Sequence, residues 1–293
     1  MQIGKTVTST DLGKSEQLGN SPLNFLWVEL TQRCNLECSH CYSESNHTLP
    51  VNQTMTLSDW KDLLDEARAC KCGAVQFIGG EPFLFPQIDE LIDHAILLEF
   101  DYVEIFTNGT TVNTNTIKSL RKNRVRLATT VYSFDACTHD AITGIAGSWE
   151  QTVSGLRMLL ENDIQLRVQV VQMPANASDV PKTTEFLHGL GIANVGVDDS
   201  RTVGRGKSMK KNTGLCGACG DRKLCVTNTG DVYPCIMARD LVLGNVLDGT
   251  LMQCLSSLEL RGFRQELKSQ DCADSTNCGP GDCGPNYCGP YRN

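Results

Sequence analysis

The stretch Phe25-Leu-Trp-Val-Glu-Leu-Thr-Gln-Arg-Cys-Asn-Leu-Glu-Cys-Ser-His-Cys-Tyr42 runs an apolar, β-type segment directly into three closely spaced cysteines. Phe25 to Thr31 reads as a buried strand, and Cys34, Cys38 and Cys41 follow in one loop. Three thiolates are one short of the four corners of an iron–sulfur cube. A cube held here keeps one iron open to a ligand that is not protein, and an open iron is a place for chemistry.

Outward from this stretch, short β-type runs alternate with helical patterns. The strands are expected at Phe25 to Thr31, Ala74 to Ile78, Tyr102 to Thr107, Val125 to Tyr132, Leu166 to Met173 and Ala193 to Val197. Helical periodicity fills the gaps at Leu57 to Cys70, Pro86 to Leu98, Asn115 to Lys122, Trp149 to Glu161 and Pro181 to His188. Thr56 or Ser58 is expected to cap the first helix, and Ser148 with Gln151 to form a capping box on the fourth. The fold class is α/β. Right-handed β–α repeats curl into a partial (β/α)6 TIM-like barrel over residues 23–205, with its chemistry at the C-terminal strand ends. Residues 1–22 form an N-terminal extension, and 206–293 a small Cys-rich domain.

Composition narrows the function. The 293 residues carry 26 Lys plus Arg against 34 Asp plus Glu, a net charge of -8 that offers phosphate backbones no attraction, so nucleic acid is not an expected partner. Met1 to Thr10 lacks the apolar core of a signal peptide, and no apolar run is long enough to cross a membrane, so a soluble cytoplasmic protein is expected. In that compartment disulfides are rare, and 15 cysteines, an odd number clustered at two places, point to metal binding.

A second motif, Phe77-Ile-Gly-Gly-Glu-Pro82, follows the second strand. Its glycines let the backbone approach a ligand closely, Pro82 stiffens the turn, and Glu81 supplies a carboxylate suited to an ammonium group. Thr107-Asn-Gly-Thr110 and Ser133-Phe-Asp135 put further polar groups at the ends of strands three and four. The C-terminal third contains Cys216, Cys219, Cys225 and Cys235, then Cys272, Cys278, Cys283 and Cys288, the last three each opening a Cys-Gly-Pro. Gly and Pro forbid regular structure there, whereas thiolates wrapped on a cluster would order it. Without Cys254, which falls in the apolar helical pattern Leu251 to Leu267, these make eight, enough for two four-iron clusters.

Cys34-x3-Cys38-x2-Cys41 with Tyr42 behind it, and Gly79-Gly80-Glu81-Pro82 at the end of the next strand, resemble the radical S-adenosylmethionine (SAM) enzymes. The resemblance implies that Cys34, Cys38 and Cys41 hold a [4Fe-4S] cluster whose open iron binds SAM, and that reductive cleavage yields a 5'-deoxyadenosyl radical that abstracts hydrogen from substrate. It also implies that Tyr42 lies by the adenine, that Gly79, Gly80 and Glu81 hold the methionine amino group, and that Asn108, Ser133 and Gln169 line the SAM pocket, with Val171 an alternative to Gln169. Many relatives continue the fourth strand with His-Asp-x-x-Arg, the arginine holding the SAM carboxylate. Here His139-Asp140 is followed by Thr143, so another basic residue is expected to supply that contact.

Gly230-Asp-Val-Tyr-Pro-Cys235 followed by Leu243-Gly-Asn-Val246 resembles the SPASM or twitch extension of that family, which implies one or two auxiliary [4Fe-4S] clusters. By that resemblance Cys219, Cys225, Cys235 and one distal cysteine bind one cluster, and Cys216 with the other distal three binds the second. Ile236 stands where sulfatase-maturing relatives carry a catalytic Asp, which argues against their reaction. The leading substrate class implied is a ribosomally made peptide, with a flavodoxin- or ferredoxin-type reductant and a separate peptide-recognition protein as partners. The alternatives are a small sugar, aminocyclitol or nucleoside substrate and, from a different class, a non-catalytic zinc scaffold in which His40 completes the site. The catalytic group is open: Asp135, Asp140 and Cys137 are candidates after strand four, with His139, Asp198 and Asp199 nearby. The basic run Arg201 to Lys211 reads as a solvated connector.

Overall fold

A computed structural model describes residues 23–50, 54–123, 125–207, 215 and 217–271. The expectations for the extension 1–22 and for Cys216, Cys272, Cys278, Cys283 and Cys288 lie outside the described residues.

Seven parallel strands carry the fold: β1 (Phe25–Glu29), β2 (Ala74–Ile78), β3 (Tyr102–Phe106), β4 (Arg126–Thr130), β5 (Leu166–Gln172), β6 (Asn194–Asp199) and β7 (Lys223–Thr227). Two short antiparallel strands, β8 (Asp231–Tyr233) and β9 (Gly244–Asn245), extend the sheet, whose order is β6-β5-β4-β3-β2-β1-β7-β8-β9. The helices are α1 (Leu57–Ala69), α2 (Ile88–Leu97), α3 (Thr114–Asn123), α4 (Ala136–Thr143), α5 (Ser148–Glu161), α6 (Val180–Gly189), α7 (Leu251–Ser256) and α8 (Leu258–Asp271). This is a partial TIM-like barrel with a small C-terminal unit, as the alternation of patterns implied.

The strands read clearly in the sequence because β1, β2 and β7 are buried along their whole length, covered by helices on one face and by the barrel interior on the other. Leu26, Val28, Val75, Phe77 and Ile105 join α1 and α2 in the outer core, whereas Phe25, Trp27, Ala74 and Ile78 face inward with Cys219, Cys225 and Cys235. Thr56 caps α1 through a capping box with Asp59.

The expected box on α5 is not formed. Its N-cap is Gly147, and the first turn is capped from α4: Asp140 accepts from the Gly147 N–H at 2.6 Å, the Trp149 N–H at 2.8 Å and the Ser148 hydroxyl at 2.9 Å. α4 itself lies outside the predicted helices, because its 8 residues are too few to show apolar periodicity; Asp135 at its N-cap is its local signal.

Candidate active site

The cysteine loop leaves the C-terminal end of β1 and is held from three sides. The Cys34 N–H donates to the Asn46 carbonyl at 3.1 Å, and the Glu37 and Ser39 N–H groups donate to the Thr143 and Ile142 carbonyls of α4, each at 2.9 Å. From beyond β6, Arg205 donates through Nε to the Cys38 carbonyl at 2.7 Å and through Nη2 to the Ser45 carbonyl at 2.9 Å. Gly204 makes this approach possible, since a Cβ there would stand 2.2 Å from the Cys41 carbonyl oxygen. The thiols sit among polar neighbours: the Asn108 amide lies 3.7 Å from Cys34 Sγ, the Tyr132 hydroxyl 3.9 Å from Cys38 Sγ, and the Ser43 hydroxyl 3.4 Å from Cys41 Sγ. Burial, with the nearby Glu81 charge adding, pushes the Cys34 thiol up to about 12; burial and Cys41 push Cys38 up to about 11. Free thiols here hold their protons, and a bound metal would have to displace them.

The Gly-Gly-Glu-Pro turn is stitched to this loop. The Gly80 and Glu81 N–H groups donate to the Thr31 and Arg33 carbonyls at 2.6 and 2.9 Å. A Cβ at Gly80 would lie 2.3 Å from the Arg33 oxygen, and one at Gly79 would lie 2.6 Å from the Thr31 oxygen. Glu81 is fully buried and does not line the cavity beside this loop. Its carboxylate accepts from the Thr107 hydroxyl at 2.8 Å, the Asn108 N–H at 2.9 Å and the Phe83 N–H at 3.1 Å, tying the ends of β2 and β3 together. Burial still raises its pKa against these donors.

A cavity of about 290 Å³ runs from the cysteine loop into the barrel. Cys34, Cys38 and Cys41 lie at one end with Gly79 and Gly80, and Cys219 and Cys235 reach it from the C-terminal unit. Gln169 and Val171 of β5 line the wall, and Asp198 and Asp199 at the end of β6, with Arg201 just beyond it, the rim. Arg167 and Lys223 carry positive charge into the interior; Arg167 is matched by buried Glu104, at 2.9 Å from Nε and 2.8 Å from Nη2, whereas Lys223 Nζ, on a residue only 8% exposed, has no hydrogen-bond partner among the described residues. His139 is likewise buried: its Nδ1 accepts from the Tyr132 N–H at 3.3 Å, so the proton rests on Nε2, which has no partner among the described residues. Burial lowers its pKa to about 4, keeping the ring neutral.

In the C-terminal unit Cys219, Cys225 and Cys235 share one buried cluster with Phe25 and Trp27, and Cys219 Sγ lies 3.0 Å from Cys235 Sγ. Tyr42 faces Arg239, whose guanidinium stands 5.2 Å from the Tyr42 ring centroid and 5.1 Å from that of Tyr233.

Residues 28–187 match the Radical SAM superfamily, more than half of the chain. The chain belongs to that superfamily. Residues 216–283 match its iron-sulfur cluster-binding domain, SPASM. Among curated proteins, the antilisterial bacteriocin subtilosin biosynthesis protein AlbA of Bacillus subtilis is 23% identical over 86% of this chain and 65% of its own length. The AdoMet-dependent heme synthase of Methanosarcina barkeri is 29% identical over 64% of this chain and 53% of its own length. The chain thus spans between half and two-thirds of these relatives. Among solved structures, SuiB of Streptococcus suis superposes with a TM-score of 0.68 at 16% identity, covering 90% of this chain and 75% of that one. anSMEcpe with bound AdoMet gives a TM-score of 0.67 at 15% identity, covering 83% of each. The cofactors of a radical SAM/SPASM chain are [4Fe-4S] clusters and S-adenosylmethionine.

The residues present fit those groups. Three thiols and the Gly79–Gly80 cradle open on one cavity, and among the described residues no three Cys, His, Asp or Glu side chains converge closely enough for a single metal ion. Tetrahedral zinc would draw its sulfurs to within about 3.8 Å of one another. A wider, cube-sized group suits the radical SAM loop better, and His40 is half-buried beside Arg205 with its pKa lowered to about 4, mainly by desolvation.

The structure also redistributes several expected roles. Glu81 braces the loop instead of facing the cavity. Ser133 is buried with its hydroxyl donating to Asp179 at 2.7 Å, away from the pocket, because the Ser133-x-Asp135 turn is used to start α4. Asp135 caps α4 through the Thr138 N–H at 2.8 Å, Asp140 caps α5, and Cys137 is exposed on α4, so none of these three lines the cavity. Tyr42 packs on Arg239 and still lines the cavity. Asn108 and Gln169 line the cavity wall. Cys70, Cys72 and Cys254 are core residues. Gly204 and Arg205 belong to the basic run read as a solvated connector, yet they clamp the cysteine loop; the Gly-Arg-Gly inside that run was the available signal.

Proposed function

We propose that this chain is a radical SAM/SPASM oxidoreductase that modifies a ribosomally synthesised peptide. The observation that carries the reading is that Cys34, Cys38 and Cys41, the Gly79–Gly80 cradle and the auxiliary cysteines Cys219 and Cys235 open on one cavity. In this reading residues 23–205 form the barrel and 206–293 the auxiliary domain. Bound there, the cluster and SAM supply one-electron cleavage to a 5'-deoxyadenosyl radical that abstracts hydrogen from substrate carbon.

The protein's part is positioning. Cys34, Cys38 and Cys41 hold the cluster, the backbone of Gly79 and Gly80 receives the methionine amino group, and Asn108 and Gln169 border the nucleoside. His139 Nε2–H, its tautomer fixed by the Tyr132 N–H, takes the SAM carboxylate in place of the arginine replaced by Thr143. Cys219, Cys225 and Cys235 would help to hold an auxiliary cluster, which would supply one-electron transfer there, with a flavodoxin- or ferredoxin-type protein as primary reductant.

A peptide substrate is favoured over a tetrapyrrole because the similarity to the subtilosin protein extends over 86% of the chain, whereas that to the heme synthase covers 64%. Anaerobic reconstitution with iron and sulfide, followed by SAM and dithionite, should give 5'-deoxyadenosine. A colourless zinc protein that forms none sinks the reading. Replacing Cys34, Cys38 and Cys41 with Ala should remove one cluster's worth of iron and abolish cleavage.

A further inference from the structure

We propose that the cavity takes a substrate carboxylate on the Lys223 ammonium, a reading that rests on this cavity being the substrate site. Three cations line it among the described residues: Arg167, Arg201 and Lys223. Arg167 is paired with Glu104, and Arg201 with Asp198 at 3.1 Å. Lys223 is only 8% exposed, and its Nζ finds no acceptor among the described residues. An ammonium removed from water and left unpaired is strongly unfavourable, and such groups persist where a ligand completes them.

The position of Lys223 is informative. It opens β7 and pairs in register with Phe25, the first residue of β1, whereas the cysteine loop leaves the other end of β1. The charge therefore stands toward the floor of the barrel and the thiols at its mouth, so a substrate anchored on Lys223 points the rest of its length at the SAM site. Trp27 and Gln76 form the wall between them, one apolar and one able to hydrogen-bond.

One unmatched positive charge calls for one negative charge. A carboxylate satisfies it, whereas a phosphate dianion would want the further cations that Glu104 and Asp198 already neutralise. The auxiliary cysteines Cys219 and Cys235 also reach the cavity; Arg239 is the cation that lowers the pKa of Cys225, and the cluster's midpoint potential separates a lysine that serves the auxiliary site from one that holds substrate. The carboxylate could be an acidic peptide side chain or a free α-carboxylate.

The test uses the reconstituted full-length protein with SAM, and equilibrium dialysis of three probes: N-acetylglutamic acid α-amide, its neutral isostere N-acetylglutamine amide, and N-acetylalanine with a free α-carboxylate. At least one of the two carboxylate probes should bind about tenfold or more tightly than the glutamine isostere, and which one does so names the source. In Lys223→Met the preference should vanish. Equal binding of all three probes in the wild type overturns the proposal, and this comparison needs no variant to fold. A preference that survives Lys223→Met also overturns it. So does a Lys223→Met variant that shifts the auxiliary cluster's midpoint potential while the carboxylate preference remains, because the lysine then serves the cluster. Failure of the wild type to form 5'-deoxyadenosine tells separately against the proposed function, whatever the dialysis shows.

Discussion

Arg239 of the C-terminal unit closes an ion pair on Glu29, the last residue of β1, across a separation of 210 residues. Glu29 is 1% exposed, and the same guanidinium lies against the rings of Tyr42 and Tyr233. Burial works against the charge on Arg239, but the Glu29 carboxylate holds its pKa above the ordinary arginine value. One side chain thereby joins the strand that precedes the cysteine loop, the tyrosine that follows it and the neighbourhood of Cys225 and Cys235.

Removing one partner of such a pair leaves the other buried and unmatched. Arg239→Leu should therefore destabilise the protein by about 3 kcal/mol, read as a lower denaturant midpoint. The double variant Glu29→Leu/Arg239→Leu should recover part of that loss. No recovery in the double variant would show that packing on the two tyrosines, and not charge, dominates.

Gly80→Ala places a methyl where the Arg33 carbonyl already stands, 2.3 Å from the ideal Cβ. Backbone must shift, at about 1–3 kcal/mol, and the turn must part from the cysteine loop. SAM affinity, measured by equilibrium dialysis on reconstituted protein, should fall by about tenfold or more; unchanged affinity would show that the cradle is not a cofactor contact.

Arg205→Ala withdraws two hydrogen bonds from the carbonyls of the cysteine loop. Iron bound at this site should then be lost faster to a chelator than in the wild type, while the iron of the auxiliary region stays. Mössbauer spectroscopy during chelation separates the two populations.

Asp140→Asn tests the cap that α4 supplies to α5. The loss at neutral pH should be about 1 kcal/mol. Although its partial burial acts in the opposite direction, the N–H groups of Trp149 and Gly147 and the Ser148 hydroxyl lower the Asp140 pKa. A depressed carboxylate stabilises the fold above its unfolded pKa and loses that contribution as pH falls through the depressed value. The difference between wild type and Asp140→Asn should accordingly persist at neutral and mildly acidic pH and close below the ordinary carboxylate range. A constant difference down to strong acid would mean that the ionised form is not what caps the helix.

The barrel strands were legible because residues such as Leu26, Val28, Phe77 and Ile105 are apolar for a local reason, burial on a parallel sheet. The cysteine loop and Gly79–Gly80 were legible because their chemistry tolerates few alternatives. What could not be read is where side chains with several partners point. Glu81 suits an ammonium as well as it suits the N–H groups it meets, and only the packing of β2 on β3 decides between them. Asp135 and Asp140 were drawn into capping around a helix too short for periodicity to reveal. Arg205 sits in a charged run, and a charged run reads as solvent-facing until its carbonyl partners, more than 150 residues away, are known.

The placement of β7 beside β1 bears on how the chain matures. β1 is buried at every position, yet one of its two edges stays unpaired until Lys223–Thr227 has left the ribosome. Until then the nascent barrel displays an open, apolar strand edge, the geometry that recruits other chains. A product ending after β6 should collect in inclusion bodies, and cluster loading should begin only once the C-terminal unit has docked. Synthesis of the second unit is in this sense a folding step of the first.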